Sequence, residues 1–183
     1  GERGPGSGSE ITLGLWVGQG ATPNSRDDAA KALRRLANGQ EPEKGNPAQL
    51  TRCPWCGSPL DYSNYKPSRP ASAGPLTIAC GTRGCAFTDG LPLYVVDEDV
   101  YECRPSLLIG TVDKFAQMTW RDKARSILGT DGQSYPPDLI IQDELHLISG
   151  PLGTLVGLYE TGVDEAIRDR KSTRLNSSHG YQS

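Results

Sequence analysis

The sequence of 183 residues predicts an α/β fold, in which helices cover a parallel sheet and a small cysteine-bearing module is inserted between two parts of the domain. Two continuous apolar runs, at residues 107–109 and 139–141, are each followed by a segment with a helical pattern, which is typical of buried parallel strands. Two pairs of closely spaced cysteines between Cys53 and Cys85 indicate the module. A chain of this length has room for one ordinary core and such an insertion.

Composition limits the classes of function. The apolar content is 36%, the chain holds 22 Gly and 14 Pro, and the formal net charge is -3. Loops should therefore be plentiful, and binding to nucleic acid by overall positive charge is not indicated. Because no apolar run could span a bilayer and no signal peptide opens the sequence, we expect a cytoplasmic protein with no membrane partner.

The first part of the domain is predicted to contain one strand and one helix. The run ITLGLWVG, residues 11–18, predicts a short strand that ends in glycine. The helix is expected to begin after Ser25, a good N-cap, with acidic residues in its first turn. Arg34 and Arg35 suit its last turn, and Gly39 is the expected stop.

The four paired cysteines predict a zinc ribbon. CPWCG and CGTRGC are tight turns with glycine, and each can direct two thiolates at one tetrahedral ion. We therefore expect a closed, structural Zn²⁺ site formed by Cys53, Cys56, Cys80 and Cys85. A redox Cys-x-x-Cys is the alternative that the second pair disfavours, and disulfides are disfavoured in a cytosolic chain. Cys103 is expected to be a small buried hydrophobic residue.

The second part of the domain is predicted to alternate strands and helices. Strands are expected at residues 91–100, 107–109 and 138–144, and helices at 112–128, ended by Gly129, and at 153–169. The last strand ends in two adjacent carboxylates, Asp143 and Glu144, with His146 close behind. Charged side chains are rarely buried unless they are paired or bind a metal, and parallel sheets bind ligands at the carboxyl ends of their strands.

This carboxylate pair has a known chemical use. In P-loop NTPases an acid at a strand end holds Mg²⁺ through water, and a neighbouring Glu can activate the attacking water. The alternative is a strand end that faces solvent and binds nothing. The flanking apolar strand and the turn that begins at Ser149 favour the ligand site.

Longer stretches of sequence carry a resemblance to a known family. LIIQDELHLISG resembles motif II and the start of motif III of superfamily 2 helicases of the DExH type, and SLLIGTVDKFAQM resembles their motif Ib region. Together with ITLGLWVGQGATPN and the inserted cysteines, these segments resemble the large helicase-like protein of DISARM-type phage-defence systems over most of residues 11–160. The resemblance implies a partial RecA-like sheet, ATP and Mg²⁺ as cofactors, and DNA, in preference to RNA, as partner, together with other proteins of a defence complex.

The resemblance also implies roles for individual residues. Asp143 would serve Mg²⁺, Glu144 would be the general base, and His146 would couple hydrolysis to motion. The residues that would contact a nucleic-acid phosphate are Gly110 and Thr111, and those that would link hydrolysis to unwinding are Ser149 and Gly150.

One departure from the family pattern concerns the phosphate loop. No Gly-x-x-x-x-Gly-Lys-Ser/Thr occurs, and the nearest cluster, GQEPEKGNP, lacks the spacing. We expect that loop upstream and a second RecA-like domain downstream in a longer parent, so that these residues alone do not hydrolyse ATP. A parent that translocates without unwinding, and a non-catalytic zinc-ribbon module that binds nucleic acid or protein, remain open alternatives.

The last residues of the sequence match a translated sequencing adapter. The codons of a common sequencing adapter encode all eleven residues of DRKSTRLNSSH, which extends from Asp169 to His179. The predicted organisation is therefore a flexible segment at 1–10, the α/β domain at 11–52 and 88–168, the ribbon at 53–87, and an adapter-derived tail at 169–183.

Overall fold

The computed structural model of the protein describes residues 11–18, 20–111, 114, 122–129, 135–141 and 161. The chain forms two compact units, with the boundary after Lys114. Among the residues described, no helix is long and apolar enough to cross a membrane. The elements of the first unit, in chain order, are β1 (Leu13–Trp16), α1 (Arg26–Ala37), β2 (Tyr65–Lys66), β3 (Thr77–Ile78), β4 (Leu93–Tyr94), α2 (Asp97–Cys103) and β5 (Leu107–Gly110).

A parallel sheet of three strands lies at the centre of this unit. Its order is β4-β1-β5, with Leu13 opposite both Leu93 and Leu107, and both ladders are parallel. The predicted α/β class with a parallel sheet is confirmed, whereas a RecA-like arrangement stays a prediction. Since all three strands run the same way, the segments that follow them leave from one edge of the sheet.

Helix α1 begins after Ser25 and ends before Gly39, as the sequence predicts. The Ser25 side chain accepts a hydrogen bond from the Asp28 backbone N–H, and Gly39 follows the helix with a φ of 70°. Such a left-handed conformation suits glycine and ends a helix. Ala29 and Leu33 are buried, so the predicted apolar face is the one that packs inward.

The main core joins the sheet to the hairpin of β2 and β3. Ala29 and Leu33 of α1 pack with Val95 and Val96, which follow β4, and the hairpin contributes further apolar side chains: Tyr65, Leu76 and Ile78. The hairpin that carries the cysteine turns is therefore anchored in the same core as the sheet. Burial of this apolar surface is the main contribution that stabilises the sheet and the hairpin together.

The prediction of a strand over residues 91–100 is wrong for most of its length. The strand β4 is limited to Leu93–Tyr94, and α2 begins at Asp97. Three acidic residues in succession, Asp97 to Asp99, occupy the first turn of this helix, where negative charge interacts favourably with the helix dipole. Basic side chains from distant parts of the chain hold two of these carboxylates.

Arg26 connects the start of α1 to α2. Its guanidinium donates to Asp99 Oδ1 at 2.5 Å and to Glu102 Oε2 at 2.5 Å, and its backbone N–H donates to Glu98 Oε2 at 2.9 Å. Asp99 Oδ2 also accepts from the Leu76 backbone N–H at 2.9 Å. Burial raises the pKa of Asp99, and the hydrogen bonds from Arg26 and Leu76 offset part of that rise.

A second ion pair is fully buried. Lys114 Nζ lies 2.5 Å from Asp97 Oδ2, and both side chains have 0% exposure. The same ammonium donates to Asn24 Oδ1 at 3.3 Å. Lys114 therefore joins the segment after β5 to the residues that precede α1 and to the start of α2.

Replacement of Lys114 by Met is expected to lower the free energy of unfolding by about 3–5 kcal/mol, because it leaves the Asp97 carboxylate buried without its cation. The double variant Lys114→Met/Asp97→Leu should recover most of that loss, since it removes both charges. Urea unfolding measures all the variants. Arg35→Ala, which breaks an exposed pair with Glu43, is the control and should change stability by less than about 1 kcal/mol. A Lys114→Met protein as stable as Arg35→Ala would contradict the expectation.

Trp16 ends β1 and fills the space between the sheet and α2. Its side chain is fully buried, and its Nε1–H donates to the Tyr101 hydroxyl at 3.0 Å. The two rings meet edge to face, with centroids 6.1 Å apart. The hydrogen bond satisfies a polar group that would otherwise be costly to bury.

The second unit tests two predictions. A 3-10 helix, Asp122–Leu128, precedes Gly129, whose φ is 67°, so the predicted glycine stop is confirmed although the described turns are 3-10 rather than α-helical. The apolar run at residues 139–141 is not part of a strand, and Leu139 and Ile141 are 51% and 80% exposed. The prediction of a buried strand is therefore wrong for these residues, because an apolar run becomes a strand only where a neighbouring strand pairs with it.

Candidate metal centre

Two turns of the inserted module carry the four paired cysteines. Gly57 and Gly84 have φ angles of 72° and 82°, values that let each turn fold back on itself. In the first turn the Gly57 N–H donates to Cys53 O at 2.9 Å, and in the second the Cys85 N–H donates to Thr82 O at 3.1 Å. The β2–β3 hairpin is the antiparallel connection between the two turns.

The four sulfur atoms form a compact cluster. All Sγ atoms of Cys53, Cys56, Cys80 and Cys85 lie within 4.8 Å of one another. The Cys53–Cys85 and Cys56–Cys80 separations are 3.8 and 3.6 Å. A tetrahedral Zn²⁺ with Zn–S bonds of about 2.3 Å places its sulfurs about 3.8 Å apart. The cluster therefore has the dimensions of a Zn²⁺ site, as the spacing of the cysteines predicts.

No disulfide joins the cysteines. A disulfide bond requires sulfurs about 2.0 Å apart, and all five cysteines of the chain are free thiols. Cys103 ends α2, is half-buried and is not part of the cluster. Burial raises the pKa of the Cys103 thiol, which fits the small hydrophobic role predicted for it.

Ionisation differs among the cysteines. Hydrogen bonds from the side chain and then the backbone of Ser58 lower the pKa of Cys56 to about 6. A backbone hydrogen bond at Phe87 lowers the pKa of Cys85, but burial and the three neighbouring thiols outweigh it and raise that pKa to about 12. Zinc binds thiolates, so Zn²⁺ entering this cluster would displace the protons that these groups hold in its absence.

A second layer of contacts holds the two turns together. The Thr82 hydroxyl donates to Ser58 Oγ at 2.7 Å, and Ser58 Oγ lies 3.3 Å from Cys56 Sγ. Behind the sulfurs, Leu60 is buried with three of the cysteines. With four protein thiolates, a bound Zn²⁺ would have no open position for a substrate, so the site suits a structural ion. Ser58 and Thr82 could not be singled out from sequence, because Ser and Thr are common in turns of every kind.

The predicted nucleic-acid contacts lie at the edge of the sheet. Gly110 ends β5, Thr111 follows it, and both are exposed. The Thr111 N–H donates to Trp16 O at 3.2 Å, so the carboxyl ends of β1 and β5 are adjacent. The remaining predicted site residues lie outside the described residues, and their roles stay predictions: Asp143, Glu144, His146, Ser149 and Gly150.

The glycine-lysine cluster GQEPEKGNP forms a loop anchored on α1 and on the segment before it. Arg35 donates to Glu43 Oε1 at 2.8 Å, and the Asn46 N–H donates to Ala21 O at 3.0 Å. Gly45 has a φ of 44°, and a Cβ there would lie 2.3 Å from the carbonyl carbon of Thr22. The glycine is thus required by close backbone packing, which is a structural role.

Comparison with known proteins gives one clear result. No protein-family model matches the chain. The chain is 36% identical, over an alignment of 194 positions, to "DISARM protein DrmA" of Bacillus paralicheniformis (strain ATCC 9945a / NCIMB 11709 / CD-2). It is similar to part of a DISARM protein.

The extent of the match to DrmA is unequal for the two proteins. The alignment covers 86% of this chain but only 17% of DrmA. The similarity therefore extends through most of the chain, and it supports the resemblance to a DISARM protein found in the sequence motifs. The DExH assignment and the helicase superfamily stay predictions.

Proposed function

We propose that this chain is a segment of a DISARM-type protein that acts in defence against phage, and that it contributes to the first motor domain of an ATP-dependent DNA helicase or translocase. The observation that carries the proposal is the 36% identity to DrmA over 86% of the chain. The parallel sheet of β4, β1 and β5 supports the motor part of the proposal, because RecA-like motors are built on such a sheet. Since one fold serves many functions, the sheet alone would not be sufficient to propose a motor function.

The edge of the sheet would provide the contact with DNA. Gly110 and Thr111 are exposed at the carboxyl end of β5, where backbone groups and the threonine hydroxyl can reach a phosphate. Lys114, three residues further on, is held by Asp97 and Asn24. In this proposal the buried lysine positions the Gly110–Thr111 turn and does not itself contact the DNA.

The nucleotide would be bound by residues that the sequence motifs identify. Asp143 would hold Mg²⁺ through water, and Glu144 would take the proton from the water that attacks the γ-phosphate. His146, Ser149 and Gly150 would transmit hydrolysis to the rest of the motor. Zn²⁺ at the four cysteines would be structural and would take no part in the reaction.

ATP hydrolysis by the full-length protein tests the motor. We expect phosphate release that rises several-fold when single-stranded DNA is added, because a motor of this class couples turnover to its track. A strand-displacement assay with a labelled duplex then separates a helicase from a translocase. Hydrolysis that is absent, or that DNA leaves unchanged, would refute the motor while leaving a defence role intact.

A second candidate function follows from the four-cysteine cluster. A zinc ribbon can bind nucleic acid or protein without catalysis, and here its hairpin is anchored in the main core. This candidate predicts nucleic-acid or protein binding by a full-length protein that does not hydrolyse ATP. Further proteins of a defence complex would be partners under either proposal.

A further inference from the structure

Trp55 is an unusually exposed aromatic side chain on a firmly held turn. It lies between Cys53 and Cys56 in the first cysteine turn and is 68% exposed. Its ring meets Phe87 edge to face, with centroids 6.1 Å apart and planes at 88°. Such a contact can cover at most one face of the indole, so the other face is open to a ligand.

Positive charge is concentrated in the same module. Residues 52–87, which are the ribbon and the Arg52 that precedes it, contain four basic residues and one acidic residue, a net charge of +3, whereas the whole chain carries -3, so the remaining residues carry -6. The charged residues are Arg52, Lys66, Arg69, Arg83 and Asp61. The module is therefore a basic region in an otherwise acidic chain, and this asymmetry favours an anionic partner.

Two of the basic residues flank the tryptophan turn. The Arg52 guanidinium donates to Gly57 O, at the end of the first turn, at 3.2 Å. Arg83 is exposed in the second turn. The Thr82–Ser58 hydrogen bond of 2.7 Å holds the two turns side by side. One exposed indole and two arginines thus lie on, or next to, one pair of hydrogen-bonded turns.

We propose that this surface, formed by Arg52, Trp55 and Arg83, binds single-stranded nucleic acid. A base would stack on the open face of Trp55, and the two arginines would contact the phosphates on either side. The inference deepens the proposed function, since it adds a contact for the strand separate from Gly110 and Thr111. It rests on that function for the expectation that the strand is DNA.

The surface fits a strand of nucleic acid better than a protein. Within residues 50–90, Trp55 and Tyr62 are the only large apolar side chains that are exposed, and Tyr62 is 40% exposed. A stable protein interface is usually wider, with an apolar centre. A base that stacks on one aromatic ring, with a cation on either side for the phosphates, needs only Trp55, Arg52 and Arg83.

Binding of a fluorescein-labelled oligonucleotide, dT20, to the 183-residue chain tests the site by fluorescence anisotropy. We expect Trp55→Ala to raise Kd on the order of tenfold and Trp55→Phe to recover part of that loss. Arg83→Ala should raise Kd and make it less dependent on salt, because one phosphate contact is lost. Matched controls outside the module are Tyr135→Ala, which removes a 95% exposed aromatic ring, and Lys31→Ala, which removes an exposed charge. Both controls should bind as the parent does.

Zinc content, measured for every variant, separates loss of the site from loss of the fold. Trp55→Ala should retain the zinc content of the parent, because its side chain lies outside the sulfur cluster. If the unsubstituted chain and Trp55→Ala bind dT20 equally well, the ribbon site is overturned, and the DNA must bind elsewhere on the chain. Failure of the unsubstituted 183-residue chain to bind dT20 would overturn the ribbon site as well. DNA stimulation of ATP hydrolysis by the full-length protein then decides the motor independently.

Discussion

Replacement of Glu144 by Gln in the full-length protein is expected to leave ATP binding intact and to lower turnover by roughly 10²–10⁴-fold, the usual contribution of a general base. The amide keeps the size and polarity of the side chain but cannot take a proton from the attacking water. Asp143, which would hold Mg²⁺, is unchanged, so the nucleotide should still bind. Phosphate release at saturating ATP and DNA measures turnover, and titration with a fluorescent ATP analogue measures binding.

The matched control for this variant is Glu160→Gln, which makes the same chemical change 16 positions further along, in the predicted helix. That protein should hydrolyse ATP at the parental rate. Undiminished hydrolysis by Glu144→Gln would refute the assignment of the base. Loss of nucleotide binding together with turnover would also refute it, because a base acts on the water and not on the bound nucleotide.

Replacement of Cys80 by Ser is expected to abolish stoichiometric zinc binding and to unfold the two cysteine turns. A serine hydroxyl does not ionise near neutral pH and cannot replace a thiolate ligand, and Cys80 is a buried member of the four sulfurs that lie within 4.8 Å of one another. Structural zinc in small domains contributes on the order of 10 kcal/mol of apparent binding free energy. We therefore expect this variant to lose far more stability than a change in an exposed ion pair would cause.

Atomic-emission measurement of zinc per chain, followed by thermal unfolding, checks the Cys80 prediction. Cys103→Ser is the control, because it removes a sulfur that is not in the cluster, and it should keep one zinc per chain. The hairpin shares its core with α1, through Tyr65 and Ile78, so zinc loss should also lower the unfolding temperature of the sheet. One retained zinc per chain in Cys80→Ser would contradict the assignment of the ligands.

The features that the sequence predicts well depend on neighbours in the chain. Ser25 caps α1 through Asp28, three residues away, and Gly39 ends the helix through its own backbone conformation. The cysteine turns are equally local, since each requires only two thiols and a glycine a few residues apart. Their meeting across the hairpin follows from the need of one ion for four ligands.

The features that sequence does not predict depend on distant partners. Residues 97–103 form a helix whose first-turn carboxylates pair with Arg26 and Lys114, which are 73 and 17 residues away in the two ion pairs. The apolar pattern before Asp97 is compatible with a strand. The end of the strand depends on the pairing of the acidic residues with Arg26 and Lys114, which the local sequence does not show. Residues 139–141 show the reverse case, because their apolar character is typical of a strand and yet none forms there.

The order of the sheet has a consequence for synthesis of the chain. β1 is made before both of its partners in the ladder, which lie far downstream, since Leu13 pairs with Leu93 and Leu107. At about 5–20 residues per second, translation of the intervening segment takes several seconds. Both cysteine turns are made during that interval, before either partner strand of β1. We therefore expect the two cysteine turns to be able to bind zinc before the three-stranded sheet is complete.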